Sequence, residues 1–79
     1  MINCGSFKKW LAHNTNYSPA AINDVTSRMN RADRILAWNG QETYLFYLEN
    51  NIEFTGLSVS VKSQIRKAVK YYSEYHKSA

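Results

Sequence analysis

The stretch that decides the fold is Ser18-Pro19-Ala20-Ala21-Ile22-Asn23-Asp24-Val25-Thr26-Ser27-Arg28-Met29-Asn30-Arg31-Ala32-Asp33-Arg34-Ile35-Leu36-Ala37-Trp38-Asn39-Gly40. Serine followed by proline is a strong helix start. The serine hydroxyl accepts one of the orphan amide protons of the first turn, and the proline ring removes another. From there Ile22, Val25, Met29, Ala32, Ile35 and Leu36 recur at three- and four-residue spacing, which lines them up as one buried stripe. Asn23, Ser27, Asn30, Arg31 and Arg34 fall on the other side. Asn39-Gly40 supplies a stop, since glycine readily takes the left-handed conformation that ends many helices. The spacing therefore predicts a long amphipathic helix from Pro19 to about Trp38.

Shorter elements flank it. Upstream, Ser6 is positioned to cap a helix from Phe7 to about His13, with Phe7, Trp10 and Leu11 on its apolar side. Asn14-Thr15-Asn16-Tyr17 reads as a turn by composition. Downstream, a third helix is expected over about Gln41 to Glu49, turning Tyr44, Leu45 and Leu48 inward and ending at Asn50-Asn51. Ile52 and Phe54 flank Glu53, so both are expected to plug the next loop into the core while Glu53 faces water. Ser58 or Ser60 starts the last helix, which extends to about His76 on the stripe Val61, Ile65, Ala68, Val69, Tyr72 and Tyr75. The tail beyond His76 is expected to fray. No segment reads as a strand. The expectation is an all-α, compact four-helix domain. Its core joins Trp10, Ile22, Val25, Met29, Leu36, Leu45, Leu48, Ile65, Val69 and Tyr72.

Size and composition agree with a single domain over 1–79. The chain has 79 residues, 44% of them hydrophobic and 20% charged, a globular rather than disordered balance. Cys4 is the one cysteine, so no intramolecular disulfide is possible. Cys4, His13 and His76 lack the spacing of a zinc site. Cys4 is expected to be structural or simply exposed, and the composition suits a reducing compartment, the cytoplasm by default. No apolar run approaches the ~20 residues of a membrane span, and Met-Ile-Asn-Cys-Gly-Ser lacks signal-peptide character, so no membrane partner is expected. The core must then come from aliphatic side chains and from rings, which make up 14% of the chain.

Catalytic chemistry finds no footing. The acids are scattered singly, no glycine-rich phosphate loop exists, and each histidine ends a helix, where it serves as a dipole partner. No catalytic residue, metal or cofactor is expected.

Charge distribution is more informative. The net charge is +4, yet Ile35 to Val61 contains no Lys or Arg and carries Glu42, Glu49 and Glu53. Basic residues gather in two blocks, Arg28, Arg31 and Arg34, then Lys62, Arg66, Lys67 and Lys70. Lys62, Arg66 and Lys70 recur at four-residue spacing, flanked by Ser63 and Lys67, with Ser60 near the helix start. Lysine and arginine neutralise phosphates, and hydroxyls near helix N-termini bond their oxygens. Helix two offers Ser18 at its start, then Ser27, Arg31 and Arg34 outward. These residues form the expected surface for double-stranded DNA, centred on Lys62, Arg66 and Lys70, with Arg66 an exposed charge that contributes little to folding. The same rows also fit ordinary solvated helix faces. Tyr71, off the apolar stripe, fits either a phosphate contact or a cover for the core edge. An alternative use of the domain is protein–protein contact through Phe46, Tyr47 and Trp38, because so short a third helix cannot bury every ring.

The pattern Phe7-x-x-Trp10-Leu11, then Tyr17-Ser18-Pro19 leading into a long amphipathic helix, resembles the N-terminal core-binding domain of phage integrases and tyrosine recombinases. The last helix continues the resemblance with Leu57-Ser58-Val59-Ser60-Val61, Ile65, Val69-Lys70-Tyr71-Tyr72 and Tyr75. Nearly the whole chain is covered in order and spacing. Two features depart from the pattern. Ala21 stands where the family usually has a threonine, and the segment between helices two and four is short. The resemblance implies a SAM-like helical fold that grips one side of duplex DNA. It implies either a domain of a longer parent protein, whose C-terminal catalytic domain cuts and rejoins strands, or a stand-alone relative. This chain has the residues of the first domain only.

Overall fold

A computed structural model describes residues 2–78 as α1 (Cys4–Asn14), α2 (Pro19–Ile35), α3 (Tyr44–Glu49), α4 (Ile52–Thr55) and α5 (Val59–Ser78). No strand occurs among the described residues. The domain is all-helical as expected, with five helices in place of four. The additional one is α4, where Asn51 accepts the Glu53 amide proton through its side chain at 2.9 Å and converts the expected plug loop into a single helical turn. That turn buries Phe54 but leaves Ile52 85% exposed, so only one of the two hydrophobic plugs is real.

Packing centres on α2 against α5, with α1 lying against both. Ile22, Val25, Met29 and Ala32 of α2 are buried with Ile65, Ala68, Val69 and Tyr72 of α5, as the stripe spacing requires. Phe7 and Leu11 of α1, Tyr44 and Leu48 of α3 and Phe54 of α4 complete the core, together with Ile2. Trp10, Leu36 and Leu45, expected inside, are half-buried at the edge of that core.

Helix termini show where distant contacts override local signals. Asn3, rather than Ser6, caps α1: its side-chain oxygen accepts the Ser6 amide proton at 3.2 Å, and its own N–H donates to the Tyr72 hydroxyl at 3.1 Å. Ile2 before the cap and Phe7 in the first turn are both buried, the positions of a hydrophobic staple. Ser18 caps α2 as expected, its hydroxyl oxygen accepting from Ala21 N–H at 3.2 Å. Ser58 caps α5, accepting from Val61 N–H at 3.2 Å. That last helix stays regular through Ser78 instead of fraying after His76, and Ala79 lies outside the described residues.

The long helix ends at Ile35, short of Trp38. Two side chains take over the backbone groups that further helix would use. Asp33 accepts from Trp38 N–H at 2.8 Å, and the Tyr44 hydroxyl donates to the Leu36 carbonyl at 2.6 Å. The released segment swings the Trp38 ring against Tyr44, Tyr72 and His76, with centroids 4.9, 5.1 and 5.6 Å away. Gly40 then turns the chain at φ +74°. A Cβ there would come within 3.2 Å of Nε2 of the exposed His76, so conformation calls for glycine and the space beside it is tight.

Burial pushes the Tyr44 phenol up to about 12. An unfolded tyrosine ionises near 10, so the folded state holds this proton more tightly. The stability it contributes is complete below pH 10 and is lost as pH rises toward about 12. Tyr44→Phe removes both this titration and the bond to Leu36, at a cost of about 1 kcal/mol near neutrality. Thermal melts at stepped alkaline pH are expected to show the wild type losing stability more steeply than Tyr44→Phe between pH 10 and about 12. Parallel profiles would mean that the Tyr44 hydroxyl is already ionised or solvated in the fold.

Candidate nucleic-acid interface

The expected row of Lys62, Arg66 and Lys70 does not project as one line. Each four-residue step along a helix turns about 40° around its axis, so three such residues spread over roughly 80°. Lys62 and Arg66 are half-buried, whereas Lys70 is exposed. The Arg66 Nε donates to Glu49 Oε1 of α3 at 2.5 Å, and its guanidinium lies over the Phe54 ring of α4, 5.7 Å from the centroid. Among the described residues this is the one ion pair. Both side chains are 37% exposed, so the pair is worth no more than about 1 kcal/mol, but its geometric role is clear. Arg66 clamps the α3–α4 hairpin and is not a free cation.

Lys70 faces a cleft of about 300 Å³ on this same flank. Its lining mixes Lys70 and Lys77 with Glu42 and Glu74 over Trp38 and Leu45, an arrangement without a preferred sign.

The opposite flank of α5 is different. Lys67 is exposed and lines a groove of about 230 Å³ between α2 and α5, together with Gln64, Ala68, Tyr17, Ala21, Asp24 and Arg28. Two cations from two helices thus meet one carboxylate, and neither cation is in an ion pair. Ser60 and Ser63 are exposed and precede Lys67 by seven and four residues, which puts them on the same side of α5. Arg31, three residues after Arg28, is exposed on the outer face of α2, as are Ser27 and Arg34. The Ser18 hydroxyl is occupied as the α2 cap acceptor. Of the expected site residues only Lys67 lines this groove, while Ser60 and Ser63 share its side of α5, Arg31 is exposed on α2, and Arg66 is paired with Glu49.

Tyr17 and Tyr71 stand at the end of this groove, their hydroxyl oxygens 3.0 Å apart. The Tyr71 ring meets Tyr17 and Trp10 edge-on, so it covers the core edge. Lys67 Nζ lies 5.7 Å from the centroid of the Tyr17 ring. Hydrogen bonding from Tyr71, and then the Lys67 ammonium, hold the Tyr17 phenol below its ordinary value. Its bond to Tyr17 raises the Tyr71 phenol, and the Tyr17 hydroxyl in turn raises the Lys67 ammonium.

Arg28 and Tyr17 were not among the residues expected at the site. Arg28 borders the stripe of α2, where periodicity alone reads a helix flank. The available signal is the pair of small residues, Ala21 and Ala68, at the edges of the two stripes. Both line the groove, and their size leaves room there for longer neighbours.

The chain matches no family model, no curated protein and no solved structure.

Reversing Arg66 sets two carboxylates against each other at Glu49. Arg66→Glu is expected to lower stability by about 1 kcal/mol in a urea melt, and the swap Glu49→Arg with Arg66→Glu is expected to recover most of that loss. An unchanged midpoint for Arg66→Glu would return this arginine to the pool of free surface cations.

Proposed function

We propose that this chain is a duplex DNA-binding module of the SAM-like, integrase N-terminal type, gripping phosphates along α2 and α5. The observation that carries the reading is the convergence of Arg28 and Lys67, both free of ion pairs, on one groove between the two main helices. Arg31, Arg34, Ser60 and Ser63 are exposed on the same two helices and extend the reach for further phosphates. The excess of positive charge favours a polyanion through counterion release, and contacts of this kind carry no base information. The order of motifs from Phe7 to Tyr75 supports the same reading, and a single cysteine suits a reducing, cytoplasmic setting. Strand cleavage and rejoining would belong to a C-terminal catalytic domain of the parent protein.

The centre of the surface moves from Arg66 to the groove. Arg28→Glu and Lys67→Glu are each expected to weaken binding to every duplex sequence alike, and each reduces the slope of log affinity against log salt by about 1. Arg66→Gln is expected to leave that slope as it is. Fluorescence anisotropy with two unrelated duplexes at low and moderate salt measures all of this. Absence of binding by the wild type at low salt would overturn the DNA reading.

A second reading, a helical protein-interaction domain, is favoured by one observation. Phe46, Tyr47 and Ile52 are 64%, 57% and 85% exposed on the α3–α4 hairpin, and the two rings contact each other at 5.4 Å. Trp38 is not part of that surface, because its ring packs on Tyr44 and Tyr72. Light scattering across a concentration series separates the two readings. Self-association abolished by Phe46→Ser with Tyr47→Ser supports the second, and a strict monomer that binds duplex DNA supports the first.

A further inference from the structure

We propose that Tyr17, Lys67 and Arg28 form a seat for a single phosphodiester group, in which the Tyr17 hydroxyl donates its proton to a phosphate oxygen. The inference rests on the DNA reading for the source of the phosphodiester, and deepens it by assigning a donor that is not a cation.

A tyrosine hydroxyl has one proton to give and lone pairs to receive. At 3.0 Å, one of the Tyr17 and Tyr71 hydroxyls donates to the other. The Lys67 ammonium beside Tyr17 favours Tyr71 as the donor and Tyr17 as the acceptor, because a cation stabilises electron density on the accepting oxygen. The Tyr17 proton is then left without an internal acceptor, and Tyr17 lines the groove. Polarised by two neighbours, it is a better hydrogen-bond donor than an ordinary phenol.

The rest of the lining fits one particular anion. Lys67 brings a point charge, and Arg28 brings a planar fork of donors suited to two phosphate oxygens. Asp24 lines the same groove, so its formal charge is two cations less one carboxylate, or +1. That balance suits the single negative charge of a phosphodiester. A phosphate dianion would meet the Asp24 carboxylate with charge to spare. Ala21 fits the same picture, since its methyl group leaves the groove open beside Tyr17.

The test compares the wild type with Tyr17→Phe, which keeps the ring packed on Tyr71, and with Lys67→Gln, after melts confirm that all three fold. In duplex anisotropy Tyr17→Phe is expected to bind about tenfold more weakly on any sequence, the scale of one hydrogen bond to a charged group. A purely structural role for Tyr17 would not change the pH profile, and this role does. Ionisation of Tyr17 removes the donor and adds a negative charge, so wild-type affinity falls as pH rises toward the ordinary phenol value of 10, and that of Tyr17→Phe does not follow. The other groups facing Tyr17 are Lys67 and Tyr71 of α5, both raised, and Arg28 and Asp24 of α2. Dimethyl phosphate and inorganic phosphate, titrated separately by NMR, distinguish the sources. The diester is expected to shift the Tyr17 and Lys67 side-chain resonances in the wild type and not in Tyr17→Phe, and the dianion to do so more weakly. Equal duplex affinity and equal pH profiles for the wild type and Tyr17→Phe would overturn the seat and leave the DNA reading standing. If the wild type binds no duplex, the DNA reading falls and the NMR arm decides: diester shifts keep the seat, and their absence overturns it.

Discussion

Tyr72 holds three distant parts of the chain in one arrangement. Its hydroxyl accepts the Asn3 N–H, and its ring meets Phe7 at 4.9 Å and Trp38 at 5.1 Å. The start of α1, the segment after α2 and the body of α5 are therefore fixed relative to one side chain that is 4% exposed. Burial raises its phenol, so the group stays neutral and its oxygen remains an acceptor for the amide that leads into α1. A domain this small, with no disulfide, depends on such nodes, because each ring adds edge-to-face attraction to the area it removes from water.

The same rings continue as a chain of contacts from the core to the surface. Trp38 meets Tyr72, which meets Phe7; Tyr75 joins Phe7 to Trp10, and Trp10 leads through Tyr71 to Tyr17. The groove between α2 and α5 is thus walled at one end by a ring backed by the interior. A donor held in that way loses little freedom when it engages a ligand, whereas an arginine on an open helix face must be ordered first. The charged part of the surface and the aromatic part of the core are one construction.

Periodicity made the backbone of this architecture legible. Ile22, Val25, Met29 and Ala32, and likewise Ile65, Val69 and Tyr72, reveal their buried faces through local spacing alone, and Ser18 and Ser58 reveal their caps through local chemistry. What escaped was decided at long range. Asn3 prevails over Ser6 because Tyr72, far along the chain, bonds its amide. The last turns expected of α2 are lost to Asp33 and Tyr44. Arg66 leaves the expected cationic row because Glu49, from a different helix, reaches it. The site was legible in its residue types and in Lys67, but not in its centre, since spacing cannot say which flank of α5 meets α2 and which meets α3.

The α3–α4 hairpin has a thermodynamic consequence of its own. Neither α3 nor α4 is long enough to persist as an isolated helix, so each exists through its docking. Tyr44, Leu48 and Phe54 are the side chains they bury, and the partly exposed Arg66–Glu49 pair adds little beyond orientation. Opening this hairpin exposes those three side chains while the α2–α5 stripes stay in contact. Helices that depend on docking in this way are expected to exchange their amides with solvent at a lower free energy than the two long helices. Arg66 of α5 holds the hairpin through Glu49, and the groove between α2 and α5 lies across α5 from that pair. The two sides of one helix are therefore expected to differ in cooperativity, the hairpin side opening before the side that faces α2.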